Sequence, residues 1–244
     1  MRIHHLNCGC MCPLGGALFD GFSKGPFAEL VCHCLLLETD RHGLILVDPG
    51  LGTQDMRHPD RRLSGFFRTL NDIRYNEQLS ALAQIQLLGF RPEDVRHIIL
   101  THLDFDHAGG ISDFPAARIH LLQRELDTVT QAGDSSWLAR QRFRPQQWTA
   151  HDGWRGYASG GERWYGFDAV KAVDDLSDEI LLVPLPGHTL GHAGVAIRHQ
   201  VLHGGDAWHS NQQRLRELSL QHAQEVQLFC SHDAQELNQF RRHG

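Results

Sequence analysis

Four side chains able to bind a metal ion fall within six residues: His102, Asp104, Asp106 and His107, in the string Thr101-His102-Leu103-Asp104-Phe105-Asp106-His107-Ala108-Gly109-Gly110. Imidazole nitrogen and carboxylate oxygen together suit Zn²⁺, Fe, Mn or Co. The string can bring these side chains to one point only if the backbone folds back, and Gly109-Gly110 permits tight geometry where a helix would start. Three further candidates follow in order: His188 in Pro186-Gly187-His188-Thr189, Asp206 after Gly204-Gly205, and His232 in Ser231-His232-Asp233.

The surrounding elements explain why these positions could meet. Residues 30 to 38 and 44 to 48 are apolar runs joined by Asp40-Arg41-His42-Gly43, which predicts a β-hairpin, and Asp48-Pro49-Gly50 stops the second strand. Residues 76 to 88 predict a helix capped by Asn76 and ended by Gly89. The β-branched stretch 95 to 101 predicts a buried strand, followed by a loop from His102 to Gly110. Ile119 to Leu122 predicts a strand with a helix after it. Further strands are expected at 180 to 185, 193 to 197, 201 to 203 and 226 to 230, with helices at 213 to 223 and 233 to 242. Each candidate ligand therefore follows a strand, at the end where open α/β sheets place their sites. Taken singly, the His102–His107 string could be a polar helix start, Asp206 a helix cap, and His188 and His232 ordinary satisfied histidines. Taken together, in this order and at these strand ends, convergence on metal is the simpler reading.

Composition sets the frame. The 244 residues carry a formal net charge of −6, with 41% hydrophobic and 21% charged residues, which fits a globular protein and lacks the basic excess of a nucleic-acid binder. No apolar run approaches the ~20 residues needed to cross a bilayer, and no signal-peptide pattern opens the chain, so a cytoplasmic protein is expected. The six cysteines are expected to be free thiols. Cys32 and Cys34, two apart on a strand, should fill one core face rather than bind metal. Residues 133 to 167 hold four of the five tryptophans, Trp137, Trp148, Trp154 and Trp164, with weak periodicity. They predict an insertion or lid over the site, within a single domain spanning 1–244.

The ligand string and its three partners resemble the metallo-β-lactamase superfamily, whose hallmark is H-x-H-x-D-H, then a His after a strand, a bridging Asp and a final His. The likeness spans essentially the whole chain and includes the early Asp48-Pro49-Gly50 turn. It implies a four-layer αββα sandwich holding two divalent metal ions, zinc above all. One ion would be bound by His102, Asp104 and His188, the other by Asp106, His107 and His232, with Asp206 bridging them. The activity implied is hydrolysis: a hydroxide held between the ions would attack a carbonyl, with Asp106 relaying a proton to the leaving oxygen. Within the superfamily the H-L-x-F-D-H-A-G-G string and the late Ser-His-Asp are most similar to the lactonase-like group, which includes N-acyl homoserine lactonases. A small-molecule ester or lactone with an apolar part is the expected partner, with neither nucleic acid nor membrane, and the chain could pair as a homodimer.

Three departures stand out. Asp104 replaces the family's second His, and a carboxylate there shifts preference toward iron or manganese. The related flavodiiron proteins also carry a carboxylate at that place, so a non-haem iron redox enzyme is the alternative, with glyoxalase-type thioester or phosphodiester hydrolysis as a further one. His209 stands where those lactonases carry a Tyr, three residues after the bridging Asp, and could hydrogen-bond the substrate carbonyl. The interval from Asp206 to His232 is also short: a loop usual in the family is either lost in this protein or absent from the sequence near 208 to 213.

Overall fold

The computed structural model describes residues 1–130, 136–176 and 179–243. The chain begins with a strand that the polar, His- and Cys-rich N-terminus did not announce, Arg2–Met11 (β1). Leu30–Glu38 (β2) and Leu44–Val47 (β3) form the expected hairpin, and β1 pairs antiparallel with β2. Ile73–Arg74 (β4), Val95–Ile99 (β5), Arg118–Leu122 (β6) and Trp154–Tyr157 (β7) complete a seven-stranded sheet in the order β4-β1-β2-β3-β5-β6-β7. From β3 to β7 the neighbouring strands run parallel.

A second sheet contains Glu162–Trp164 (β8), Phe167–Ala172 (β9), Ile180–Pro184 (β10), Ala193–Ile197 (β11), Val201–His203 (β12) and Gln227–Phe229 (β13), in the order β13-β12-β11-β10-β9-β8. Strand β11 runs antiparallel to both β10 and β12, and β12 is parallel to β13. Strands β10, β12 and β13 therefore share one direction and deliver their carboxyl ends to one edge.

Period-2 alternation builds the layers. On β2, Leu35 and Leu37 face the second sheet and pack with Ile45, Val47 and Ile99 against Ile180, Leu182, Val195 and Ile197. Leu36, on the opposite face, packs with Leu46, Ile98 and Ile119 under Ile85, Phe105 and Ile111. The outer face of the second sheet, Val183, Ala196 and Leu202, is covered by Leu215 and Leu218 of the helix His209–Gln221. The result is the four-layer αββα sandwich. Each fully buried Leu or Ile contributes roughly 1.5–3 kcal/mol by leaving water. Among the described residues, no helix is long and apolar enough to cross a membrane.

Three expectations need correction. The helix expected over 76 to 88 is broken at Ser80, whose backbone is extended and whose hydroxyl caps a new helix, Ala81–Leu87; Asn76 caps only the short turn before it. The loop after β5 contains a helical turn, Phe105–Ala108. Of the stretch 133 to 167, residues 133–135 lie outside the described residues; the rest includes strands β7 and β8, one in each sheet, and so carries the chain from one layer to the other. Its tryptophans divide accordingly: Trp148 and Trp164 are buried in two different cores, while Trp137 is exposed against Phe66.

Candidate metal centre

The fold brings the seven sequence-predicted ligands together. The His102–His107 string follows β5, His188 follows β10, Asp206 follows β12 and His232 follows β13. Gly205 makes the Asp206 turn feasible: its φ is +58°, and a Cβ there would lie 2.5 Å from His192 Nε2.

Asp206 stands between two groups of histidines. Oδ2 lies 3.8 Å from His102 Nε2 and 3.4 Å from His188 Nε2, Oδ1 lies 3.5 Å from His107 Nε2, and His232 Nε2 lies 3.2 Å from both oxygens. Asp104 Oδ2 closes the first group, 3.5 Å from His102 and 3.0 Å from His188. Asp106 Oδ2 closes the second, 3.9 Å from His107 and 3.6 Å from His232. Tetrahedral bonds of ~2.0–2.1 Å place donors roughly 3.3–3.4 Å apart. His102, Asp104 and His188 cluster at such spacing, while His107 groups most closely with His102 and Asp206, and His232 with Asp106 and Cys32.

Hydrogen bonds behind the site fix which nitrogen faces inward. Thr101 Oγ1 donates to Asp48 Oδ2 at 2.7 Å and so accepts from His102 Nδ1 at 2.9 Å. His107 Nδ1 donates to Asp48 Oδ2 at 2.9 Å, and His232 Nδ1 donates to the Val31 carbonyl at 2.7 Å. Each of these rings therefore turns an Nε2 lone pair to the centre. The buried atoms His102 Nε2, His107 Nε2 and Asp206 Oδ1 have no hydrogen-bond partner. A cation would satisfy them, and an empty apolar pocket would not. His192 differs. Its Nδ1 donates to the Leu185 carbonyl and its Nε2 accepts from the Asp206 backbone N–H, so no lone pair is left for a metal. Burial chiefly holds it neutral, down to about 3.

The electrostatics point the same way. Burial alone would depress His232, but Asp206 and Asp106 lift it to about 9. Burial is overridden likewise at His107, raised well above the imidazole range by Asp206 and Asp106. Burial would raise Asp206, yet His232 and His107 hold it well below the usual carboxylate range. The pocket thus draws in positive charge.

Sequence reasoning missed three contributors. Glu125, fully buried on the helix after β6, accepts from the Leu103 N–H at 3.0 Å and from Thr189 Oγ1 at 2.6 Å, tying the first ligand string to the His188 loop. Cys32 does sit in the core, as expected, but its sulfur also lies within 4.8 Å of the Asp106 and His232 donors. Arg142, on the short helix Trp137–Arg142, donates to Asp104. His209 is exposed, 3.1 Å from Gln212; its neighbour Trp208 is the residue whose ring lies near His188.

An open cavity of about 510 Å³ adjoins the ligands, and its lining includes His188, Asp206 and His232 together with Phe19, Leu30 and Trp208. The helix His209–Gln221 stands between β12 and β13.

The model of the metallo-beta-lactamase superfamily matches residues 28–226. A probable metallo-hydrolase of Mycobacterium tuberculosis is 37% identical, over 96% of this chain and 80% of that protein. An N-acyl homoserine lactonase of Bacillus cereus is 33% identical over 48% of this chain and 49% of its own. Among solved structures, an N-acyl homoserine lactone hydrolase with N-hexanoyl-L-homoserine at its catalytic metal centre superposes with a TM-score of 0.70, at 21% identity, covering 97% of this chain and 95% of that one.

Proposed function

The chain belongs to the metallo-beta-lactamase superfamily and is a metallo-hydrolase, and from that premise we propose that it opens an ester or lactone carbonyl in a small molecule with an apolar part. The observation that carries this reading is the Asp206 carboxylate lying between the His102–His188 and His107–His232 pairs, beside a cavity lined in part by Phe19, Leu30 and Trp208.

His102, Asp104 and His188 would hold one divalent cation, Asp106, His107 and His232 the other, with Asp206 between them. Cations bound there supply a water of lowered pKa and a Lewis acid for the carbonyl. The remaining work falls to the chain. Asp48 and Thr101 keep the Nε2 atoms of His102 and His107 turned inward. His192 holds the Asp206 backbone, and Glu125 locks two ligand loops together. Asp106, only slightly exposed, can carry a proton to the leaving oxygen. Phe19 and Trp208, exposed by 60% and 53%, offer an apolar surface for an acyl chain. Zinc is the metal we favour for the four imidazoles, and Asp104 is the feature that favours iron or manganese and a redox reading.

A panel of lactones, thioesters, alkyl esters and phosphodiesters, assayed with protein loaded separately with Zn²⁺, Mn²⁺ and Fe²⁺, tests this. Preferred turnover of lactones or esters supports the reading. Turnover confined to phosphodiesters, or an iron-dependent reaction with oxygen, would overturn it.

A further inference from the structure

The residue in the family's second His position, Asp104, does not stand alone. Arg142 donates to it from Nε, at 3.1 and 3.0 Å to its two oxygens, and from Nη2 at 2.7 Å to Oδ2. The same Nη2 lies 2.8 Å from His188 Nε2, and Nη1 donates to the His188 carbonyl at 3.2 Å. A guanidinium thus lies on two of the three donors that belong to the first site alone. A neutral imidazole offers one lone pair, and His188 Nε2 cannot give it to an Arg N–H and to a cation at once. Among the described residues, no guanidinium is seen on the donors of the second site, where His107 Nε2 and Asp206 Oδ1 are unpartnered and the Cys32 sulfur is near.

Arg142 is held from both sides. The backbone bridges Asp104 to Phe143, and Ser136 caps the helix that carries Arg142. A cavity of about 160 Å³, bordered by Thr128, Leu138 and Gly187, opens beside Arg142 and His188 and could take the side chain once displaced.

We propose that Arg142 is a built-in competitor for the first metal site. The second site fills first and tightly. The first fills only when a cation displaces the guanidinium from Asp104 and His188. The substitution of Asp for His at 104 makes this competition effective, because a carboxylate binds a guanidinium and an imidazole binds it poorly. The proposal rests on the two-site reading above.

Cation binding measured by chelator competition and by elemental analysis, in the wild type, Arg142→Met and Arg142→Lys, tests it without any substrate. Met keeps the packing and removes the charge. The expected result is one tight and one weak Zn²⁺ in the wild type. The second Zn²⁺ should bind roughly tenfold to hundredfold tighter in Arg142→Met, with Arg142→Lys in between. An unchanged second constant in Arg142→Met overturns the competitor role, and so does a weakened one, which would make Arg142 a support for Asp104. If neither wild type nor variants bind any cation, the two-site reading itself fails. Circular dichroism on each variant separates these outcomes from misfolding.

Discussion

Asparagine at position 48 should weaken the second metal site about tenfold to hundredfold while leaving the fold intact. Asp48 is buried directly behind the site. Its Oδ1 accepts from the Thr101 N–H at 2.9 Å, and its Oδ2 accepts from Thr101 Oγ1 and from His107 Nδ1. Burial would raise its pKa, yet the His107 hydrogen bond and charge outweigh that and hold it at about 2. The backbone is left-handed, φ +50°, a conformation Asn adopts readily, so the substitution changes chemistry rather than shape. With the amide oxygen kept toward the Thr101 N–H, the NH₂ group faces His107 Nδ1. Histidine then avoids two opposed donors only by moving its proton to Nε2, the atom that should face the cation. With the amide flipped, NH₂ opposes the Thr101 N–H and leaves a buried donor unsatisfied, at about 1–3 kcal/mol. Either way binding at the Asp106–His107–His232 group loses about 1.4–2.8 kcal/mol, the equivalent of that tenfold to hundredfold. Chelator-competition titration of wild type and Asp48→Asn measures it. Equal affinities with an unchanged melting temperature would refute the claim that Asp48 sets the His107 tautomer.

Other consequences concern the stability of the fold and the grip on substrate. Burial depresses His33 to about 2, and burial chiefly depresses its partner His5, 2.8 Å away, to about 4. The unfolded chain takes up protons near the ordinary imidazole value of 6.5 and the folded chain does not, so stability is full above that pH and falls as pH drops toward 4. The slope from His33 is about 1.4 kcal/mol per pH unit, and His33→Phe should flatten it in urea titrations between those limits; an unchanged slope contradicts the assignment. Arg62→Met strips the ion partner from the fully buried Asp55, 2.9 Å away, and should cost about 3 kcal/mol, lowering the melting temperature by about 6–12 °C. A change under about 1 kcal/mol would show that the Gly52 N–H and Gln147 bonds suffice for Asp55. Trp208→Ala should raise KM about tenfold for an ester with a long acyl chain, by loss of apolar contact, whereas His209→Ala, whose exposed ring pairs with Gln212, should change kcat/KM by less than about twofold. The reverse pattern would restore His209 to the substrate.

The ligand set was legible because each member follows an apolar run long and β-branched enough to read as a strand, and strand ends in such sheets gather at one edge. The supporting groups were not. Glu125 sits in an ordinary-looking helix, and only the meeting of that helix with the Leu103 N–H and the Thr189 hydroxyl gives it a task. Arg142 lies 38 residues from Asp104 in a stretch with weak periodicity, and no local pattern pairs them. Strand β1 was missed because His, Asn and Cys dilute its alternation; its pairing with β2, a long-range effect, makes it a strand. The break at Ser80 was missed because the apolar spacing runs through it, while the hydroxyl prefers to cap.

The most direct test of the central claim is metal content per chain, with lactone hydrolysis followed in parallel, for the wild type and Asp206→Ala after equilibration with Zn²⁺ and removal of free ion. The placing of Asp206 between the two histidine pairs predicts retained zinc and turnover in the wild type and loss of both in the variant. Full zinc and full turnover in Asp206→Ala would contradict it.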